Sequence, residues 1–233
     1  MNERYIRQTA LPDFGSAAQE KLAQKNLIVF GAGGVGSAAL PLLAGAGIGR
    51  IVICDGDIVS LNNLHRQTLY AESEIGKPKA ALAAKRLREL NSAITVETVE
   101  RFFSSTEDIY NLLKDKDMCL DATDSFAARI AVSEACANAG VPLVSATAEG
   151  FCSQIFTFTN GLKFSDIVCD ADAPTEAPHR AAIFAPAAHM AGVWGAAKCI
   201  TTLAEIEPFI GGQIRSFLSL IHISEPTRRR GIS

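Results

Sequence analysis

The sequence predicts an α/β protein: a Rossmann-like, doubly wound, mainly parallel sheet with helices on both faces and an antiparallel extension. Three observations predict it. Short apolar runs without alternation, such as LIVF at 27–30 and IVIC at 51–54, are the pattern of strands buried on both faces. These runs take turns with Ala- and Leu-rich stretches at helical spacing, the order expected of strand–helix–strand units. Between the first run and the first such stretch stands GAGGVG, residues 31–36. Glycines at Gly31, Gly33 and Gly36 give a turn in which backbone N–H groups and a helix N-terminus approach a phosphate or ribose. Asp55 closes the second run, where a carboxylate accepts hydrogen bonds from ribose hydroxyls.

The 233 residues suffice for one α/β domain, assigned to 1–217 with its nucleotide-binding core at about 27–147. An apolar content of 48% beside 20% charged residues is that of a globular chain, and the apolar stretches are too short or too Gly/Pro-broken to span a bilayer. No charged-then-apolar leader opens the chain. The six cysteines, at 54, 119, 136, 152, 169 and 199, form no C-x-x-C pair and read as reduced residues of a cytoplasmic protein. A net charge of −3 argues against a nucleic-acid surface. Leu218 to Arg228, LSLIHISEPTR, resembles a translated sequencing adaptor, so 218–233 are read as a non-native tail and left out of the fold.

In chain order, residues 2–26 are a polar lead-in with a short helix at Ser16–Gln24, for which Ser16 is the N-cap. The first strand, the glycine turn and a helix over Ser37–Ala46 follow, then the second strand at Ile51–Cys54. Residues 56–76 are a long polar connection at the end of the sheet where α/β folds place their chemistry. A helix over Lys77–Leu90 tolerates Pro78 in its first turn. Strands at Ile94–Val99, Met118–Asp121 and Val141–Ala146 alternate with helices near Thr106–Lys114 and at Ser125–Ala139, the latter ended by Gly140. Phe151–Thr159 alternates openly and starts the antiparallel extension. The stretch of about 160–182 is aperiodic and reads as a crossover loop, after which Ala187–Ala204 is a helix. Trp194 and Phe151 read as core, and Phe126 falls in the helix after Asp124.

RYIRQ (4–8), GAGGVG (31–36), DGDIVSLNNLHRQ (55–67), GKPKA (76–80) and DATDS (121–125) occur in the order and spacing of the ThiF/MoeB/HesA group, the bacterial relatives of ubiquitin-activating enzymes. The resemblance covers about residues 3–210. It implies an adenylyltransferase: ATP activates the C-terminal glycine carboxylate of a small ubiquitin-like sulfur-carrier protein ending in Gly-Gly, of ThiS or MoaD type, and pyrophosphate leaves. By the same resemblance Arg66 and Lys79 contact phosphates, Asp124 holds Mg²⁺ with Ser125 beside it, and Gly34 and Asp55 supply backbone and ribose contacts. Asn63 lies in the matching nucleotide loop, and Arg7 matches an arginine supplied to the neighbouring protomer of a homodimer. The residue types suit that reaction. A carboxylate nucleophile is already ionised at neutral pH and needs no general base, so catalysis is positioning plus cations.

Each residue has a plainer reading. Arg66 and Lys79 are in isolation solvated charges of a loop and a helix. Asp121 and Asp124 are both placed to cap the helix at 125; Asp121 is taken as structural and Asp124 as functional. Arg7 reads otherwise as a surface residue, and His65 as a packing variant. Two departures from the family matter. Where zinc-bearing members carry C-x-x-C, Cys169 is followed by Asp172, and one thiolate builds no tetrahedral site, so no zinc is expected. Near Pro178, where some ThiF proteins carry a sulfur-transfer cysteine, none stands, so adenylation is the expectation and the sequence does not decide whether sulfur transfer follows. The alternatives are a tRNA threonylcarbamoyladenosine dehydratase-like enzyme, an NAD-dependent oxidoreductase, and an inactive scaffold for a ubiquitin-like protein.

Overall fold

The computed structural model describes residues 3–103, 105–167 and 182–218. Seven strands form one sheet in the order β3-β2-β1-β4-β5-β6-β7. The strands are β1 (Asn26–Phe30), β2 (Arg50–Cys54), β3 (Thr95–Val99), β4 (Met118–Asp121), β5 (Leu143–Glu149), β6 (Cys152–Phe158) and β7 (Gln213–Leu218). Strands β1 to β5 are mutually parallel, whereas β6 pairs antiparallel with both β5 and β7. The predicted extension is present, and it has a second strand, β7, that the sequence reading did not assign.

The apolar runs are buried strands because both faces are covered. In β1, Leu27 and Val29 join a core beneath the helices α2 (Gly15–Leu22), α3 (Gly34–Ala46), α4 (Lys79–Leu90) and α7 (Ala185–Leu203). Ile28 and Phe30 join the opposite core, under α5 (Thr106–Leu113) and α6 (Phe126–Ala139). The period-two alternation of side chains is therefore intact, with both faces apolar. Helix α7 crosses α3 with almost no gap: a Cβ on Gly192 would stand 2.3 Å from the Val35 carbonyl oxygen.

The chain leaves β1 towards β2 and β3, then returns to place β4 on the other side of β1. The reversal leaves a crevice at the carboxyl ends of β1 and β4, the place where open α/β sheets bind ligands. Several local expectations are corrected. Helix α2 starts at Gly15, whose φ of +62° only glycine adopts easily, so Ser16 is inside the helix and does not cap it. Phe151 is 47% exposed in the β5–β6 turn, against the ring of Phe184, and is not core. Trp194 is partly buried, packed edge-on against Phe217 of β7. Most of the crossover, with Cys169, Asp172 and Pro178, and the suspect tail beyond Leu218 lie outside the described residues.

Candidate nucleotide and carboxylate site

The glycine turn connects β1 to α3 and is welded to its neighbours. Gly31 donates its N–H to the Cys54 carbonyl at 2.9 Å and has a φ of +96°. A Cβ there would meet the Ala122 carbonyl oxygen at 2.5 Å, and one on Gly36 would meet the Gly31 oxygen at 2.3 Å. Both glycines are thus required by close backbone approach. Gly33 is the N-cap of α3, with no side-chain cap, and Gly34 is its first residue. The first-turn N–H groups and the positive end of the helix dipole face the crevice.

Asp55 sits just beyond β2 and is tied to this turn. Its Oδ2 accepts from Ala32 N and its Oδ1 from Asp57 N, each at 2.7 Å. Each oxygen keeps a second lone pair, so ribose hydroxyls are still accommodated. Burial pushes the Asp55 carboxyl above the ordinary carboxylate value, against the opposing effect of these two N–H donors. Phe102, 75% exposed, stands beside the same acid: a Cβ on Gly56 would lie 2.9 Å from its Cδ2.

The connection from Asp57 to Pro78 folds back over the turn and delivers both cations. Lys79 is the first residue of α4, and its side chain is 4% exposed. Its Nζ pairs with Asp57 Oδ2 at 2.5 Å, and its N–H donates to the Asp57 carbonyl at 2.9 Å. The reading of Lys79 as a solvated charge is overturned by this burial. A lysine at a helix N-terminus also opposes the dipole, so its place there is not explained by helix stability. Arg66 lies over the first turn of α3, its Cγ and Cδ 3.4 Å from where a Gly34 Cβ would stand. Its Nη1 donates to the Asn62 carbonyl at 3.1 Å, and its own carbonyl meets His189 Nε2 of α7 at 2.9 Å.

Two buried amides flank Arg66. Asn63 is 9% exposed and Gln67 3% exposed, yet neither Asn63 Oδ1 nor Gln67 Oε1 has a hydrogen-bond partner among the described residues. Unpaired buried acceptors are uncommon, and here both belong to the loop that covers the glycine turn. The Gln67 amide nitrogen is 3.6 Å from the Cβ position of Gly33. Gln67 and His189 were missed by sequence reasoning, although Gln67 stands inside the quoted loop motif. His65 is exposed, its Nδ1 3.2 Å from the Asn62 carbonyl.

Across the crevice, the loop after β4 presents Asp124. Asp121 is fully buried and accepts from Thr123 and Ser145, which fits its structural reading. Ser125, not an aspartate, caps α6, accepting from Ala128 N at 3.4 Å. Asp124 is exposed and has no hydrogen bond or ion pair among the described residues, so capping does not account for it. No group of three or more His, Cys, Asp or Glu among the described residues is placed to hold a metal. Mg²⁺ commonly uses one or two carboxylates together with substrate phosphates, and Asp124 fits that donor set.

Arg7 is the one predicted residue not brought to this crevice. It lies on α1 (Ile6–Thr9), which is fastened to the opposite end of α3: Gln8 Nε2 donates to the Ala46 carbonyl at 3.1 Å. Helix α3 has 13 residues, so about 20 Å separates that end from the glycine turn. Any action of Arg7 at such a site is on a second protomer's.

A glycine turn sealed against β4, an acid bonded to that turn, an arginine over the helix N-terminus and a buried lysine paired with Asp57 define a Rossmann-type nucleotide-binding protein. The chain belongs to the ThiF family, whose profile matches residues 5–229. It is 32% identical over 217 residues to the sulfur carrier protein ThiS adenylyltransferase of Escherichia coli, covering 92% of this chain and 86% of that protein. It is 39% identical over 156 residues to the sulfur carrier protein adenylyltransferase of Thermus thermophilus, covering 67% and 57%. It is 37% identical over 202 residues to the adenylyltransferase and sulfurtransferase MOCS3 of Arabidopsis thaliana, covering 86% and 43%. The chain thus spans about half the length of several curated relatives it matches. Crystal structures of E. coli MccB share the fold: the complex with MccA-N7isoASN superposes with a TM-score of 0.84 at 24% identity, covering 94% of this chain and 70% of that one. No helix among the described residues is long and apolar enough to cross a membrane.

Proposed function

We propose that this protein is an ATP-dependent adenylyltransferase that activates the C-terminal carboxylate of a small ubiquitin-like sulfur-carrier protein and releases pyrophosphate. The observation that carries the reading is Arg66 over the glycine turn and Lys79 buried on Asp57, together with an Asp124 that has no partner among the described residues across the crevice. A plain dinucleotide site needs only the turn and Asp55. The relatives reported above are named adenylyltransferases, which favours this activity over the dehydratase and oxidoreductase alternatives.

In this reading the α3 N-terminus and Arg66 hold the phosphates, and the open lone pairs of Asp55 take the ribose. The incoming carboxylate attacks the α-phosphate in line, and the α–β bridging bond breaks. Lys79 and Arg66 stabilise charge on the departing pyrophosphate, where such contacts act most strongly. Asp124 would hold Mg²⁺, which supplies charge neutralisation on the phosphates. Arg7 of a second protomer supplies a further cation in a homodimer. The protein works in the cytoplasm, and no sulfur-transfer step is assigned to it.

The test is ATP–pyrophosphate exchange with purified carriers of ThiS and MoaD type, together with thermal-shift titration by Mg-ATP and NAD. Carrier-dependent exchange and a shift with Mg-ATP are expected. A shift with NAD, none with Mg-ATP, and no exchange with either carrier would overturn the proposal.

A further inference from the structure

We propose that Arg129 and Asp121 are positioning residues that aim Asp124, so that the acid's placement is set by a buried charge pair it never touches. This inference rests on the role given to Asp124 above. Thr123, the residue before Asp124, is gripped at all three of its polar groups. Its N–H and hydroxyl donate to Asp121 Oδ1 at 3.0 and 2.7 Å. Its carbonyl accepts from Arg129 Nη2 at 3.2 Å. The same nitrogen donates to Thr147 Oγ1 of β5 at 2.9 Å, so Arg129 ties the loop to a second strand. Asp121 Oδ2 accepts from Ser145 Oγ at 2.6 Å and lies 3.8 Å from Arg129 Nε. On the other side of Asp124, Ser125 is fixed as the cap of α6, whose first turn carries Arg129 itself.

Asp124 is therefore a carboxylate without a partner among the described residues, held between two immobilised neighbours. The loop is also joined to the glycine turn, since Ala122 N donates to the Phe30 carbonyl at 2.7 Å and Gly31 packs on the Ala122 peptide. The clamp thereby fixes the distance between the acid and the phosphate cradle. Arginine is needed for it. The Arg129 side chain is 12% exposed, its Nε has no hydrogen-bond partner among the described residues, and its guanidinium stands 5.7 Å from the Phe164 ring centroid. A buried cation kept with one donor unmade is costly for stability alone. What the planar fork gains is one nitrogen on both Thr123 and Thr147 while a second is held 3.8 Å from Asp121, a fixed spacing that the single nitrogen of an ammonium does not provide.

The variants are Arg129→Lys, Asp124→Asn and the double variant, with Thr147→Val as a milder loosening should Arg129→Lys fold poorly. The first readout is the Mg²⁺ concentration that half-saturates the increment Mg²⁺ adds to the ATP-induced thermal shift. It should rise about tenfold in Arg129→Lys, the scale of one lost hydrogen bond to a charged group, and by less, about threefold, in Thr147→Val, where the bond from Arg129 to Thr123 survives. Arg129→Lys should add nothing further in the Asp124→Asn background, as expected of residues that act through one another. The second readout is amide hydrogen exchange, which should quicken in residues 122–125 while β4 and the body of α6 stay protected. Unchanged Mg²⁺ dependence, additive effects, or exchange raised along all of α6 would each overturn the clamp and leave adenylation standing. A wild-type protein with no response to ATP would instead overturn the functional reading, and the clamp's purpose with it.

Discussion

Lys79→Met separates the two roles that burial and charge give this lysine. The side chain is 4% exposed and its Nζ pairs with Asp57 Oδ2, whose own side chain is 51% exposed. Methionine keeps most of the aliphatic stem and removes only the charge. Asp57, half in water, is rehydrated when its partner goes, so no buried unpaired charge results. The stability cost is that of one charge-assisted hydrogen bond, about 1.5–3 kcal/mol, lowered by relief of the unfavourable cation at the start of α4, about 0.3–1 kcal/mol. A net loss of about 1–2 kcal/mol remains. The catalytic cost is different in kind: one donor aimed at developing phosphate charge is lost, about 10²–10³ in rate. Urea denaturation measures the first and ATP–pyrophosphate exchange the second. A variant that loses the predicted stability yet exchanges within threefold of wild type would make Lys79 a strut for the 57–79 loop and refute the assignment.

Asp124→Ala should abolish exchange with a melting temperature close to wild type, because the side chain is exposed and has no partner among the described residues; substantial exchange would return it to a loop role. Gly36→Ala should cost about 1–3 kcal/mol and weaken ATP binding, since the new Cβ would stand 2.3 Å from the Gly31 oxygen; an unchanged denaturation midpoint would show the turn can shift freely. For Asp55, burial raises the folded pKa. Its ionisation therefore opposes folding, its contribution to stability is greatest below the unfolded value, and that contribution is lost as pH rises through the folded value. In the proposed function the ionised form accepts from the ribose, so calorimetry should find ATP affinity falling on acidification before ordinary carboxylates titrate, a dependence absent in Asp55→Asn.

The sequence made the frame legible because each signal was local. Unbroken apolar runs mark strands whose two faces are covered, and Ser125, Phe126 and Gly140 place one helix correctly at both ends. Gly31, Gly36 and Asp55 lie within one contiguous unit, so their roles could be argued from order alone. What stayed hidden depends on partners remote in the chain. β7 reads QIRSFL, half polar, and becomes a strand only because β6 offers it an edge. Lys79 looks like any helix-surface lysine until the connection after Asp57 folds back over it. Arg129 sits in a helix of nearly uniform small residues, so nothing at helical spacing separates it from solvated charge; only the meeting of β4, β5 and α6 reveals it. Phe151 was misplaced because alternation shows which residues share a face without showing that the chain turns outward at Gly150.

The charges of the crevice are held in three different ways, and the differences follow from what each must do. Lys79 is buried, and a buried ammonium without a counterion is prohibitive, so Asp57 must pair with it before any ligand arrives. Arg66 is only partly buried and is steadied by a backbone carbonyl, which carries no net charge to compete with a phosphate. Asp124 is exposed and has no partner among the described residues. Had Arg66 and Asp124 been partnered with each other, a nucleotide would have to break an ion pair to bind, and some of its binding energy would be consumed in doing so. Keeping them apart requires that something else fix their positions. For Arg66 it is His189 of α7 and the packing of its stem on Gly34. For Asp124 it is the grip of Asp121 and Arg129 on Thr123. Placement by neighbours in place of a partner's charge leaves the reactive groups free while holding them still, which is the arrangement electrostatic preorganisation requires.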